Sequence, residues 1–150
     1  MTGLAARIAT ADDLGAWARL RHQLWPHLSL EEHEAEIVEA LAQSGRLIAF
    51  LCVTPDGTAV GLAEASIRSD YVNGCETSPV AFLEGIVVDA AMRRRGVAAL
   101  LVAAVSEWAL GKGLSELASD AELHNAASHA MHGALGFEET QRVVYFRKAL

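Results

Sequence analysis

Residues 80–98 constrain the fold of this chain more than any other part of its sequence. The run VAFLEGIVV at 80–88 is apolar at every position except Glu84 and Gly85, which is typical of a central strand buried on both faces of a sheet. The turn RRRGVA follows at 93–98, and beyond it apolar residues recur at helical spacing up to Trp108. This segment therefore predicts a buried strand, a tight turn and a packed helix.

Further helices and strands are predicted on either side of this unit, from capping pairs, turn residues and hydrophobic periodicity. In chain order they are a strand at 6–9, helices that begin at Thr10 with Asp13 and at Ser29 with Glu32, strands at 46–53 and 59–67, the central strand and its helix, a strand at 114–119, a helix at 125–135 and a final strand at 143–148. The order indicates an α/β protein with a mixed central sheet flanked by helices. No repeat or linker interrupts residues 1–150, which are predicted to form a single domain.

The amino-acid composition limits the partners that this protein can bind and the cell compartment in which it works. Of the 150 residues, 52% are hydrophobic and 21% charged, and the net charge of −7 argues against a nucleic-acid partner while permitting a cationic substrate. No stretch approaches the ~20 apolar residues of a membrane span, and the first ten residues lack the apolar run of a secretory signal. Cys52 and Cys75 fit neither a metal spacing nor a disulfide framework. We therefore expect a cytoplasmic protein with no membrane partner.

Two other kinds of site are set aside. His124, His129 and His132 lie close together in the sequence, but no cysteine or carboxylate spacing completes a zinc site, so no metal is expected. No Gly-x-Ser-x-Gly elbow occurs, which argues against a serine hydrolase.

The turn RRRGVA at 93–98 has the features of an anion site. Gly96 and Ala98 lack bulk, so a ligand can approach the backbone where the helix begins. The free N–H groups of the first helical turn and the helix dipole favour a pyrophosphate there, and three arginines at 93–95 add positive charge. The alternative is a solvated basic turn. The turn is neither a Walker loop nor a three-glycine dinucleotide fingerprint.

The pattern Arg-x-x-Gly-x-Ala at Arg93, Gly96 and Ala98, with Asn125 and then Leu-Gly-Phe at 135–137, resembles the GCN5-related N-acetyltransferase superfamily. The resemblance covers essentially the whole chain and implies acetyl-CoA as the acetyl donor. It also implies that the N–H near Val88 polarises the thioester carbonyl. The positions that the resemblance assigns to acetyl-CoA are Ile86, Val87, Val88, Arg94, Arg95, Gly96, Val97, Ala98, Ala99 and Asn125.

A narrower resemblance rests on segments outside the acetyl-CoA motif. They are LRHQLWP at 20–26, ASIRSDYVNGC at 65–75, SPVAFLEGIVV at 78–88, ELASDA at 116–121 and HGALGFEET at 132–140. Together they are similar to the short, chromosomal-type aminoglycoside 6′-N-acetyltransferases. This implies direct transfer to a polycationic aminoglycoside, a homodimer, and acceptor contacts at Trp25, Tyr71, Glu84 and Asp120.

The residues themselves support part of this assignment. Glu84 interrupts an apolar strand, where a carboxylate is costly unless it is partnered or functional; the alternative is a structural ion pair with an arginine such as Arg68. Asp120 ends a strand, where open α/β sheets bind ligands; the alternative is a helix cap. Either carboxylate is a candidate catalytic base. Without the resemblance, neither Trp25 nor Tyr71 would be assigned to the site: a tryptophan before a proline at a helix end is more often a packing residue, and Tyr71 lies in a polar loop.

Two positions depart from the family pattern. Many superfamily members carry a tyrosine as general acid where this chain has His132, and some relatives carry an acidic residue where it has Gln141. The remaining alternatives are another amine acceptor, such as a polyamine, a small metabolite or a protein N-terminus, and a non-enzymatic module that only binds CoA.

Overall fold

The computed structural model describes residues 3–150, and its centre is a five-stranded sheet in the order β1-β2-β3-β4-β5. The strands are β1 Ala5–Ile8, β2 Leu47–Val53, β3 Ala59–Arg68, β4 Val80–Val88 and β5 Leu117–Ala118. The helices are α1 Leu14–Leu24, α2 Leu30–Leu41, α3 Val97–Gly111 and α4 Ala126–Ala134, with short 3₁₀ turns at Ala11–Asp13 and Ala90–Met92. No helix in this range is long and apolar enough to cross a membrane.

Both capping pairs predicted from the sequence are confirmed. The Thr10 N–H donates to the Asp13 carboxylate over 2.8 Å, and a 3₁₀ turn leads from there into α1. The Ser29 hydroxyl accepts from the Glu32 N–H at 3.1 Å, while the Ser29 N–H donates to the Glu32 carboxylate at 3.0 Å. Each pair satisfies amides that would otherwise lack partners at a helix start.

Helices cover both faces of the sheet, because the strands alternate apolar residues between two cores. On one face, Val97, Leu101 and Val105 of α3 pack on residues such as Phe50 and Leu83. On the other face, the residues of α1 and α2 that pack on the sheet are Trp17, Leu20 and Ile37. Fully buried Leu or Ile side chains contribute about 1.5–3 kcal/mol each.

The sheet opens between its last two strands. β1 to β4 are antiparallel neighbours, whereas β4 and β5 are parallel and pair only at Ala81 with Leu117 and Phe82 with Ala118. Beyond Phe82, β4 continues to Val88 with β3 on one side and no strand of residues 3–150 on the other. Complete burial of β4 is therefore wrong for its second half: residues 80–83 are buried, and 84–88 are partly exposed.

The final strand expected at 143–148 is also wrong. Residues 138–150 form no helix or strand, and Val144, Tyr145 and Phe146 are exposed by 72%, 85% and 93%. These residue types have high strand propensity, but a strand forms only where another strand offers a partner. Within the described chain, none pairs with this segment.

Candidate active site

Glu84 stands at a β-bulge. In the register between β3 and β4, Glu64 pairs with Gly85 and Ala65 with Leu83, so Glu84 is an extra residue with no partner opposite it. A bulge bends its strand and redirects the side chain of the inserted residue. This is how a carboxylate is accommodated inside an otherwise apolar strand.

The Glu84 carboxylate is held at both oxygens. Arg68 Nη2 lies 2.7 Å from Oε1 and Arg68 Nε 3.1 Å from Oε2, while the Ser66 hydroxyl donates to Oε2 at 2.5 Å. Arg68 also covers the Phe82 ring, with its guanidinium carbon 3.4 Å from the ring centroid. The ion pair considered as an alternative is therefore present, but it is one-third to two-fifths exposed and lies at the sheet opening.

Asp120 lies across this opening from Glu84. Asp120 comes two residues after Ala118, which pairs with Phe82 in parallel register, and its charge acts on Arg68, the ion-pair partner of Glu84. The hydrogen bond with Glu84 is the largest cause that raises the pKa of Arg68, burial opposes it, and the charges of Glu84, Asp120 and Tyr145 raise it further. The Asp120 side chain is exposed and makes no hydrogen bond or ion pair within residues 3–150.

The helix-cap alternative for Asp120 is wrong, since Asn125 caps α4. The Asn125 side-chain oxygen accepts from the Ser128 N–H at 3.1 Å. This bond uses only the carbonyl of the amide, and Asn125 is exposed, so its NH₂ group remains available to a ligand.

Trp25 packs directly beside the bulge. It follows α1, and its ring occupies the space that a side chain at position 85 would need: a Cβ built on Gly85 would lie 2.7 and 2.8 Å from two ring atoms. Tyr71 is different. It lies in the loop 69–79, is 67% exposed, and makes no hydrogen bond in the described part of the chain. The structure brings Trp25 against Gly85, next to Glu84, whereas Tyr71 makes no hydrogen bond with Glu84 or Asp120 within residues 3–150.

The turn before α3 has the geometry of an anion site. Gly96 has φ +84° and Arg94 φ +63°, so the backbone is left-handed at both. The first helical hydrogen bond runs from Leu100 N–H to Gly96 C=O at 3.1 Å, which leaves the amides of 97–99 without helical partners. No atom lies within 4 Å of a Cβ built on Gly96. Arg93, Arg94 and Arg95 are exposed, and none forms an ion pair within the described residues.

The open edge of β4 runs from this turn towards Glu84. Ile86 and Val88 pair with Ala63 and Gly61 of β3. On the other side no strand of the described chain takes up the backbone groups of 83–88, so this edge can pair with an extended ligand.

His132 forms a hydrogen-bonded pair that the sequence did not reveal. Its Nδ1 lies 2.7 Å from the Ser128 carbonyl, and its Nε2 lies 2.7 Å from the Ser119 hydroxyl. Because a carbonyl only accepts, Nδ1 donates to Ser128, while Nε2 is hydrogen-bonded to the Ser119 hydroxyl, which can donate or accept. Within residues 3–150, no group of three His, Cys, Asp or Glu side chains is arranged to hold a metal ion.

Ser66 was also missed as a partner of Glu84. Glu64, Ser66 and Arg68 are alternate residues of β3, so all three side chains point to the same face of the sheet. That period-two polar pattern in an apolar strand was the available signal.

Comparison with known proteins agrees with this geometry. Residues 11–137 match the model of the acetyltransferase (GNAT) family. The chain is 53% identical over 143 residues to an aminoglycoside N(6')-acetyltransferase type 1 of Serratia marcescens, covering 95% of this chain and 97% of the relative. It is 50% identical over 135 residues to the Acinetobacter baumannii protein of the same name, covering 90% and 91%.

Two solved structures are similar over almost their whole length. AAC(6')-Iy in complex with the bisubstrate analogue CoA-S-monomethyl-acetylneamine superposes with a TM-score of 0.91 at 48% identity, covering 98% of this chain and 99% of that one. AAC(6')-Ih from Acinetobacter baumannii has a TM-score of 0.93 at 45% identity, covering 99% of both chains.

The fold and the comparisons define the class: this chain belongs to the acetyltransferase (GNAT) family. Within that family it groups with the aminoglycoside 6′-N-acetyltransferases. The resemblance deduced from the sequence is thereby confirmed.

Proposed function

We propose that this chain transfers the acetyl group of acetyl-CoA directly to the 6′-amine of an aminoglycoside, with both substrates bound at once. One observation carries the proposal: the anion site before α3 and the carboxylates of Glu84 and Asp120 meet at the same opening between β4 and β5. One side of the opening suits a pyrophosphate, and the other suits ammonium groups.

Acetyl-CoA fits the residues on the α3 side. The amides of Val97, Ala98 and Ala99 and the open space beside Gly96 receive the pyrophosphate, with Arg94 and Arg95 supplying positive charge. The pantetheine arm pairs with the open edge of β4 along Ile86, Val87 and Val88. Asn125 offers its NH₂ group from the start of α4.

The acceptor fits the opposite side. Glu84 and Asp120 provide negative charge for its ammonium groups, and the Trp25 ring beside Gly85 offers an apolar face for a sugar. Tyr71 extends from the exposed loop 69–79, where its side chain is 67% exposed and open to an acceptor. The net charge of −7 favours the approach of a polycation.

The chemistry requires removal of a proton from the acceptor. An ammonium group of pKa ~10 costs roughly 4 kcal/mol to deprotonate at pH 7. Glu84 is committed to Arg68 and Ser66, so we assign the proton to Asp120, directly or through a water. The free amine attacks the thioester carbonyl, the N–H near Val88 stabilises the oxyanion, and the CoA thiolate leaves. The extra proton that the attacking nitrogen still carries then passes to the departed thiolate, directly or through a water, which gives the neutral amide and CoA thiol. With a thiol pKa of ~8.5, that leaving group needs no strong acid.

We further infer a cytoplasmic homodimer without nucleic-acid or membrane partners. The exposed apolar tail around Tyr145 and Phe146 supports a second copy as its cover, since a contiguous apolar surface of this kind marks an interaction site. The acidic net charge favours neither nucleic acid nor an anionic lipid surface.

The test is acetyl-CoA-dependent release of CoA thiol with paired acceptors. We expect turnover of aminoglycosides that carry a 6′-amine and none of matched analogues with a 6′-hydroxyl. Equal turnover of both would point to another position on the drug. Acetylation of polyamines alone would favour the other amine acceptors, and CoA binding without turnover of any amine would favour the non-enzymatic module.

A further inference from the structure

A buried arginine, Arg21, lies over the ring of Trp25. Arg21 of α1 is 7% exposed, and its guanidinium carbon stands 5.0 Å from the centre of the Trp25 ring. The same side chain places Nη2 3.1 Å from Glu36 Oε1 and Nε 3.0 Å from Glu64 Oε2. The guanidinium therefore donates a hydrogen bond to Glu36 of α2, forms an ion pair with Glu64 of the sheet, and lies over the indole ring.

Glu64 is in turn held from a second direction. The Trp17 indole N–H donates to Glu64 Oε2 at 2.8 Å. Burial raises the pKa of Glu64, and the Arg21 charge is the largest effect opposing that rise. A buried carboxylate and a buried guanidinium of this kind are costly singly and tolerated as a pair.

The backbone around Trp25 is fixed as firmly as its ring. The His33 ring is fully buried and its Nε2 lies 3.0 Å from the Trp25 carbonyl. The His22 Nδ1 lies 2.9 Å from the Leu28 carbonyl. Since a carbonyl only accepts, both rings donate, and the connection from α1 to α2 is anchored at each end.

The contacts of Arg21, Glu64 and Trp25 reach the side of the site at which we propose that the acceptor binds. Glu64 is the register partner of Gly85, and the Trp25 ring lies against that glycine, one residue from Glu84. An unfixed indole would have to be ordered each time an acceptor bound, and that ordering would weaken binding.

We propose that Arg21 is a positioning residue for the acceptor: clamped by Glu36 and Glu64, it holds the Trp25 ring in the orientation that receives the sugar. The proposal deepens the proposed function and rests on it. Arg21 acts through Trp25, touches neither substrate, and has no effect on acetyl-CoA.

The decisive variant is Arg21→Lys. Lysine retains the positive charge near Glu64 but loses the planar guanidinium that stacks on an aromatic ring. From the usual strength of such stacking, the acceptor KM should rise roughly three- to thirtyfold. The acetyl-CoA KM and kcat should stay near wild type. Arg7→Lys is the control for loss of a guanidinium–carboxylate pair alone, because Arg7 binds Asp13 through two nitrogens on an exposed surface and supports no tryptophan.

A double-mutant cycle separates positioning from general loss of structure. Trp25→Ala should raise the acceptor KM by itself, and adding Arg21→Lys to it should change that KM no further. Additive effects, or a normal acceptor KM in folded Arg21→Lys, would overturn the proposal. A normal acceptor KM in Trp25→Ala would overturn it too, together with the acceptor role of Trp25. Failure of the proposed function itself is distinct, since the wild-type enzyme would then acetylate no 6′-amine.

A second variant covers the case in which Arg21→Lys does not fold. Glu36→Gln removes one clamp from the guanidinium at a side chain that is 46% exposed, so folding is retained. The acceptor KM should rise by about two- to fivefold, as for the loss of a modest ion pair, and this rise should vanish in the Trp25→Ala background. An unchanged KM, or a rise that persists without Trp25, would overturn the proposal.

Discussion

The guanidinium of Arg68 binds both carboxylate oxygens of Glu84, with Nη2 2.7 Å from Oε1 and Nε 3.1 Å from Oε2. Such paired, charge-assisted hydrogen bonds fix the direction of the carboxylate. Glu84 is thus suited to bind an ammonium group, whereas Asp120, which has no such partner within residues 3–150, is better placed to accept a proton.

The two carboxylates should therefore respond differently to loss of charge. Asp120→Asn should lower kcat by about 10²–10⁴, the usual contribution of a general base, and flatten the acidic limb of the pH–rate profile. Glu84→Gln should chiefly raise the acceptor KM, because a contact made equally in the ground and transition states changes KM alone. Steady-state kinetics with a 6′-amino acceptor from pH 5 to 9 checks both.

The reverse outcome, with kcat lost in Glu84→Gln and kept in Asp120→Asn, would transfer the role of base to Glu84. If both variants kept near-normal kcat and pH dependence, neither carboxylate would be the base, and the enzyme would select the free amine already present in solution.

Gly96→Glu should weaken acetyl-CoA binding at least tenfold, up to complete loss, in a folded protein. With φ +84° at Gly96, any side chain costs about 1–2 kcal/mol of strain, and a carboxylate there would repel the pyrophosphate. The matched control is Gly113→Glu, since Gly113 follows the other end of α3 with φ +79° and equal open space. Calorimetry with CoA should give at least tenfold weaker binding for the first variant and unchanged binding for the second; equal affinities would refute the anion site.

Asp13 should make folding stability sensitive to acid. The Arg7 hydrogen bond is the largest cause lowering the pKa of Asp13 from 3.8 to about 2. A carboxylate whose pKa is lower in the folded state stabilises the fold above its unfolded pKa and loses this contribution as the pH falls from about 4 to 2.

Because Arg7 is nearly half exposed, the contribution is at most about 1 kcal/mol. Urea unfolding at pH 7 and pH 3 should show a smaller acid loss for Asp13→Asn than for wild type. Asp12→Asn is the control, as Asp12 is exposed and forms no ion pair in the described structure. Identical acid losses in the three proteins would contradict this role of the pair.

A structural feature could be predicted from the sequence where its cause lies in residues close together along the chain. The caps at Thr10 and Ser29 depend on contacts three residues apart, and the position of the central strand on its own composition, so these were predicted correctly. The exposure of residues 84–88 depends on where β5 ends, and it was not predicted. The bulge at Glu84 is set by the register between two strands, and the contact of Trp25 with Gly85 by tertiary packing. Neither leaves a pattern within a short window of sequence.

The C-terminal segment 138–150, which contains Tyr145 and Phe146, should control the oligomeric state. If a second copy covers the exposed side chains of Tyr145 and Phe146, then Phe146→Ser should weaken the dimer at least tenfold by exposing less apolar surface for burial. Leu110→Ser is a matched control on α3, where Leu110 is 69% exposed. Sedimentation velocity across a concentration series measures both. A monomeric wild type, or equal dimerisation of all three proteins, would refute the homodimer.

His132 should matter little to the chemical step. Its Nδ1 donates to the Ser128 carbonyl and its Nε2 is hydrogen-bonded to the Ser119 hydroxyl, so both ring nitrogens are engaged within the fold and neither is free to protonate the departing thiolate. His132→Gln should therefore lower kcat less than about tenfold, well below the 10²–10⁴ typical of a general acid. Ser119→Ala should behave in the same way, because it removes the same hydrogen bond from the other side. The opposite result would be a loss of kcat of a hundredfold or more in His132→Gln, together with loss of the basic limb of the pH–rate profile. It would mean that protonated His132 is the general acid that supplies the proton of the CoA thiol, with Ser119 as the relay. Solvent-isotope effects on kcat distinguish the two cases, since unassisted departure of a thiolate transfers no proton in its transition state.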